Sequence, residues 1–227
     1  MFDWFTNLPN DLLIFLFFVA LVYGLTKVPV IGKYISVYNT LVHEVGHVLA
    51  AIFTGGKVQK IKLFMSAGGV AQHRSRFWLG KLLTSFAGYP TASATMLLFV
   101  YFIVIERFDL VLMISTALFL VSFIFWVRNT YGMIWLVSFA GIFIGLLWLD
   151  ITILNQYIVY FLTAILFVDS IRTSLEILIL SFKNPNDAGD ATSMWKSTVI
   201  IPPQLWGLIF YGISLGAGYL AIKLFLS

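Results

Sequence analysis

Cysteine is absent from the 227 residues, and only 11% of them are charged. The first absence excludes disulfides and thiolate metal sites, so any transition metal must be held by His, Asp, Glu or Asn. The second excludes an ordinary water-soluble domain, which is nearer a quarter charged. Too few charges remain for a disordered chain or a nucleic-acid binder, and a net charge of +4 does not change that. A cleavable leader is not expected either. Asp3 and Asp11 occupy what should be a basic region, and no small-residue cleavage site follows the first apolar run. What the chain does have is apolar surface, with 60% hydrophobic and 17% aromatic residues. A fold of this size cannot bury so much from water. The composition predicts one integral membrane domain over 1–227.

A hydrocarbon core of about 30 Å takes roughly 20 apolar residues per helix. Runs of that kind lie near 11–26, 35–54, 82–105, 109–127, 131–149, 152–182 and 203–226. They predict an all-α polytopic fold with about seven transmembrane helices. Charged or turn-forming breaks separate them, among them Lys27-Val28-Pro29, Gly55-Gly56, Glu106-Arg107, Arg128-Asn129, Asp150 and Pro202-Pro203. With seven spans, one face carries Lys57, Lys60, Lys62, Arg74, Arg76, Lys81, Arg128, Lys183 and Lys196, and the other carries Lys27, Lys33, Arg107 and Lys223. The positive-inside rule then places the N-terminus and the 55–81 loop in the cytoplasm. Within that loop Ile61, Leu63 and Met65 alternate with Lys60, Lys62 and Phe64, and Gly68-Gly69 follows. The period of two predicts a short β-hairpin at the membrane surface. A basic loop lying on anionic lipid heads is the competing reading.

His43-Glu44-Val45-Gly46-His47 is the most informative stretch. Two histidines at i and i+4 share a helix face, so both imidazoles can reach one metal ion, and Glu44 can act as general base on a water there. Such residues in a lipid-spanning segment are costly and face partners or water. Two other uses remain open for them: a proton path in a small transporter, and metal-dependent stability in a catalytically inactive scaffold. A catalytic zinc site with two histidines needs one more donor and an open position. Asp169 lies at a similar depth on its own span, although Arg172 and Glu176 on the same face could pair with it instead. His73, among Arg74 and Arg76, is expected to be a surface residue.

The motif and its surroundings resemble the site-2 protease family of intramembrane zinc metallopeptidases. The resemblance runs from the His-Glu helix through Gly55-Gly56-Lys57-Val58-Gln59-Lys60-Ile61 and Gly68-Gly69-Val70 to Ala87-Gly88-Tyr89-Pro90. It is similar to a compact branch found in bacteria and plants in Arg128-Asn129-Thr130-Tyr131-Gly132 and Gly189-Asp190-Ala191, with Pro202 and Trp206 beyond. Two departures stand out: no Asn-x-x-Pro-x-x-x-Leu-Asp-Gly element is present, and Ala92 occupies the place of the family's Asn after Ala-Gly-Pro.

The resemblance implies zinc on His43 and His47 and peptide-bond hydrolysis with Glu44 as the proton carrier. Asp190 becomes the third ligand by this likeness, with Asp169 as the alternative. The substrate is expected to be a transmembrane protein or peptide in the bilayer, gated by the bundle or by a regulatory membrane partner. It would be held by the hairpin at Gly68, Gly69 and Val70, and near Asn129. A bacterial cytoplasmic membrane is the expected location.

Overall fold

The structure is a computed structural model, describing residues 9–149 and 151–227. Asp3 and Asp150, invoked above, lie outside the described residues. The elements run α1 (Asn10–Thr26), α2 (Pro29–Phe53), β1 (Lys57–Leu63), β2 (Gly69–Arg74), α3 (Trp78–Phe86), α4 (Gly88–Val104) and α5 (Phe108–Val121). A π-helical turn (Ser122–Trp126) extends α5, and then come α6 (Thr130–Trp148), α7 (Thr152–Lys183), α8 (Gly189–Thr198) and α9 (Pro203–Phe225). α7 is the buried axis, packed by α9, α1, α4 and α2, while α5 and α6 turn most of their surface outward. The chain is an integral membrane protein.

All seven apolar segments are helical, but not all qualify as spans. Among the described residues four helices are long and apolar enough to cross a bilayer, and a fifth crossing arises if α3 and α4, bent by 47°, count as one. The expected count of seven is not confirmed by length and composition, for two physical reasons. α1 has only 17 residues, about 26 Å at 1.5 Å per residue. α2 interleaves Lys33, Asn39, His43, Glu44 and His47 among its apolar residues. The seven-span arithmetic also puts Asp11 at the hairpin end of the bundle. Instead Asp11 accepts a hydrogen bond from the Tyr160 hydroxyl at 2.7 Å, and the Tyr160 ring faces Phe108 at the head of α5.

Local chemistry explains the two features that shape the site. α2 ends in a Schellman motif: Gly55 N–H donates to Ile52 O and Gly56 N–H to Ala51 O, with Gly55 at φ +70. A side chain on Gly56 would meet carbonyl oxygens of Ala51 and Arg74 at 2.9 Å, so this glycine pair lets the hairpin fold back along the helix. The α3–α4 bend follows from Pro90, which has no N–H for the carbonyl of Phe86 and crowds it.

The expected hairpin is present. β1 and β2 pair antiparallel from Lys57↔Arg74 to Leu63↔Gly69, with a bulge between Val58 and Lys60. Ile61 and Leu63 are fully buried, as the alternation requires, while Met65 lies in the exposed tip. The free edge of β1 is closed by the α5–α6 link. Val127 forms a parallel bridge with Ile61, and Arg128 N–H donates to Ile61 O. Asn129 completes it with a side chain acting as a strand residue: Leu63 N–H donates to Oδ1 at 3.0 Å, and Nδ2 donates to Leu63 O at 2.7 Å. Asn129→Ala is therefore expected to lower stability by about 1–3 kcal/mol, two hydrogen bonds being lost at a half-buried site. Amide exchange across 61–70 should speed up most, and unchanged exchange there would show that the hairpin is held by other contacts.

Candidate metal centre

One turn separates His43 from His47 on α2, and their Nε2 atoms come within 3.0 Å of each other. Asp190, on the first turn of α8, brings Oδ2 to 3.1 Å from His43 Nε2 and 3.3 Å from His47 Nε2. Among the described residues these three form the group able to hold one metal ion. Their triangle has the right size. Donors at tetrahedral corners about 2.05 Å from zinc stand about 3.3 Å apart, and a fourth corner stays open. Three electron-pair donors converging this closely repel one another unless a cation sits among them. The donor set thus fits zinc.

Each donor is oriented by a named neighbour. His47 Nδ1 donates to the carbonyl of Thr84 at 2.6 Å, which turns the Nε2 lone pair inward. The His43 ring rests edge-on against Tyr89, with centroids 4.6 Å apart. Burial alone would raise the Asp190 carboxyl, but positive charge and hydrogen bonds from protonated His47 and His43 outweigh it and hold the group well below the usual carboxylate range. A bound cation would take over that role as the imidazoles give up their protons. Asp190 is an anionic donor at neutral pH. Gly88 makes the convergence sterically feasible, since a Cβ there would collide with His43 Cε1 and Nε2 and lie 2.7 Å from His47 Nε2. Gly46 lets α2 and α4 approach closely, since its Cβ would stand 2.7 Å from the Thr91 side chain and 3.0 Å from the Ala87 carbonyl oxygen.

Glu44 is 5% exposed and borders the same cavity without joining the donor triangle. The hairpin tip packs directly on it: a Cβ at Gly69 would lie 2.8 Å from Glu44 Cγ and Oε1. The cavity, about 620 Å³, is also bordered by Gly68, Gly69, Val70, Ala71 and His73 of the hairpin. His73 was expected at the surface. On β2 it shares a pleat face with Gly69 and Ala71, which points it toward the cavity. It is half-buried, and burial draws its imidazole below the ordinary value, leaving it neutral at pH 7.

Of the residues singled out in the sequence, the fold brings His43, Glu44, His47, Asp190, Gly68, Gly69 and Val70 around one space. Asn129 is not among the residues bordering it; both ends of its carboxamide are engaged by Leu63. Asp169 stands apart as well. It is fully buried and pairs with Arg172 at 2.9 Å, while Arg172 also reaches Glu176 and Ser36. Sequence reasoning missed Thr84 as the anchor of His47, and Tyr89 as the support of His43. The Thr84 carbonyl carries no sequence signal, because any residue at that point of the bend offers one.

A polytopic helical bundle that gathers two histidines of one helix, an aspartate of another and a neighbouring glutamate has the makings of a membrane-embedded metallopeptidase. Residues 12–221 match the family described as Peptidase M50B-like. The chain belongs to that family, of the site-2 protease type. No curated protein and no solved structure matches it.

Proposed function

We propose that the protein is a zinc-dependent intramembrane protease that cleaves transmembrane segments of other proteins. The observation that carries the reading is the His43–His47–Asp190 triangle with Glu44 beside it in one cavity. His43, His47 and Asp190 would hold a zinc ion, which when bound would supply Lewis acidity toward a scissile carbonyl and a nearby water. Glu44 takes the proton from the attacking water and passes it to the leaving amine nitrogen. Its burial and the close packing of Gly69 keep the carboxylate in one place for both transfers.

A transmembrane substrate is helical, and its peptide groups are hidden in their own hydrogen bonds until it is unwound. The hairpin offers replacement partners. One edge of β1 is closed by Val127 and Asn129, so an added strand must use the outer edge of β2, whose Gly69, Ala71 and His73 border the cavity. There Ala71 gives its N–H to Glu44, and its carbonyl accepts from His73 Nδ1, until a substrate displaces them. Gly68, Gly69 and Val70 hold the opened backbone there, while Asn129 acts through the hairpin it pins. The hairpin end, rich in lysine and arginine, faces the cytoplasm of a bacterial inner membrane, and water reaches the site from that side.

The test is metal removal. Purified protein should contain about one zinc per chain, and stripping it with a chelator should abolish cleavage of a reconstituted transmembrane substrate. Zinc should restore the activity. Full cleavage by metal-free protein would end the proposal.

A further inference from the structure

The α7 wall of the cavity carries a carboxylate that the chemistry above does not use. Glu176 borders the cavity beside Ile177 and Leu180, and its side chain is 59% exposed. Its one ionic partner among the described residues is Arg172, at 3.3 Å. That guanidinium is committed elsewhere: Nε donates to Asp169 Oδ1 at 3.0 Å, and Nη2 lies 2.9 Å from the same oxygen. Asp169 is fully buried, and a buried carboxylate left without its cation is far costlier than an exposed one. Asp169 and Arg172 therefore cancel, and Glu176 remains as unbalanced negative charge. Among the described residues no lysine or arginine borders the cavity. The donor triangle cannot balance it either, since the two positive charges of a zinc ion held there would be met by Asp190 and Glu44.

We infer that Glu176 is a specificity residue whose carboxylate pairs with a lysine or arginine side chain of the substrate bound in the cavity. The inference rests on the protease reading above and names the substrate class: transmembrane segments with a basic residue close to the scissile bond. Glu176 lies about 10 Å from the end of α7, within reach of the flank of such a segment rather than its middle. Lysine and arginine are concentrated in that flank on the cytoplasmic side. Their apolar stems fit against Ile177 and Leu180 while the charged head meets the carboxylate. A wholly apolar segment would displace the water around Glu176 and give it nothing in return, so it is disfavoured.

The experiment uses the full-length Glu44→Gln protein loaded with zinc and read by equilibrium binding. The probes are fluorescent transmembrane peptides carrying lysine, norleucine or glutamate at one position, which is moved residue by residue through the cytoplasmic half. At one register lysine should bind about tenfold more tightly than norleucine, which has the same stem without the charge. With Glu176→Gln added, the two peptides should bind alike, and with Glu176→Lys the preference should turn to glutamate. Zinc content and melting temperature should stay the same, since Glu176 is no metal donor and Arg172 keeps Asp169. Where Glu176→Lys does not accumulate, Glu176→Gln decides alone.

A lysine preference that survives in Glu176→Gln, or none at any register, would overturn the inference. So would a loss of melting temperature in Glu176→Gln, which would make Arg172 the partner that Glu176 serves. Because binding needs no turnover, a wild type that prefers lysine peptides yet never cleaves them sinks the protease reading alone. If no peptide binds at all, both fall.

Discussion

Replacing Glu44 with glutamine is expected to lower turnover of a reconstituted transmembrane substrate by about 10²–10⁴-fold while leaving bound zinc unchanged. The two halves of this result have separate structural causes. Glu44 lies outside the donor triangle of His43, His47 and Asp190, so its loss removes no ligand. Glutamine has nearly the same shape, so the contact with Gly69 survives and the hairpin tip stays in place. What disappears is a group able to carry a proton from water to the leaving nitrogen. The deficit should therefore fall on kcat, with KM close to that of the parent. Wild-type turnover in Glu44→Gln would show that another group carries the proton. Zinc loss in this variant would place Glu44 among the ligands.

Gly88→Ala is expected to cost about 10–100-fold or more in zinc affinity although every donor remains. The new methyl group would enter the space of His43 Cε1 and Nε2 and stand 2.7 Å from His47 Nε2. Neither ring has an easy retreat. His47 is tied by Nδ1 to Thr84, and His43 is backed by Tyr89. The rings must rotate, and the triangle opens. Gly141→Ala and Gly145→Ala are the controls, because nothing lies within 4 Å of a Cβ at either position. Zinc titration of the three proteins decides the matter, and a Gly88→Ala affinity equal to the controls would show that α4 can shift away from α2.

The parts of this architecture legible in the sequence are those set by local rules. His43 and His47 share a face because helices repeat every 3.6 residues, and Gly55-Gly56 ends that helix because one of them must take a left-handed conformation. Ile61 and Leu63 announced a strand by alternation. The third donor was a different problem. Asp190 and Asp169 were equal candidates by coordination need, and what separates their positions is tertiary. α8 is drawn against the bundle by Ala188, Ala191 and Met194, which bury against Tyr89 and Phe210. It is tied by Trp78, whose indole N–H donates to Ser197 O at 2.6 Å. Asp169 meanwhile is engaged by Arg172, a pairing its i+3 spacing foreshadowed. The span count is not confirmed for a related reason: runs of apolar letters do not reveal that Pro90 bends one of them or that α1 has only 17 residues.

The donors come from widely separated stretches of the chain, two from α2 and one from α8, which follows α7. During synthesis α2 is made well before α8 and carries its two imidazoles without Asp190 beside them. Until α8 has emerged and docked, a metal ion would find only two protein ligands and a weak hold. On the protease reading proposed above, hydrolytic competence is thus a late event in biogenesis.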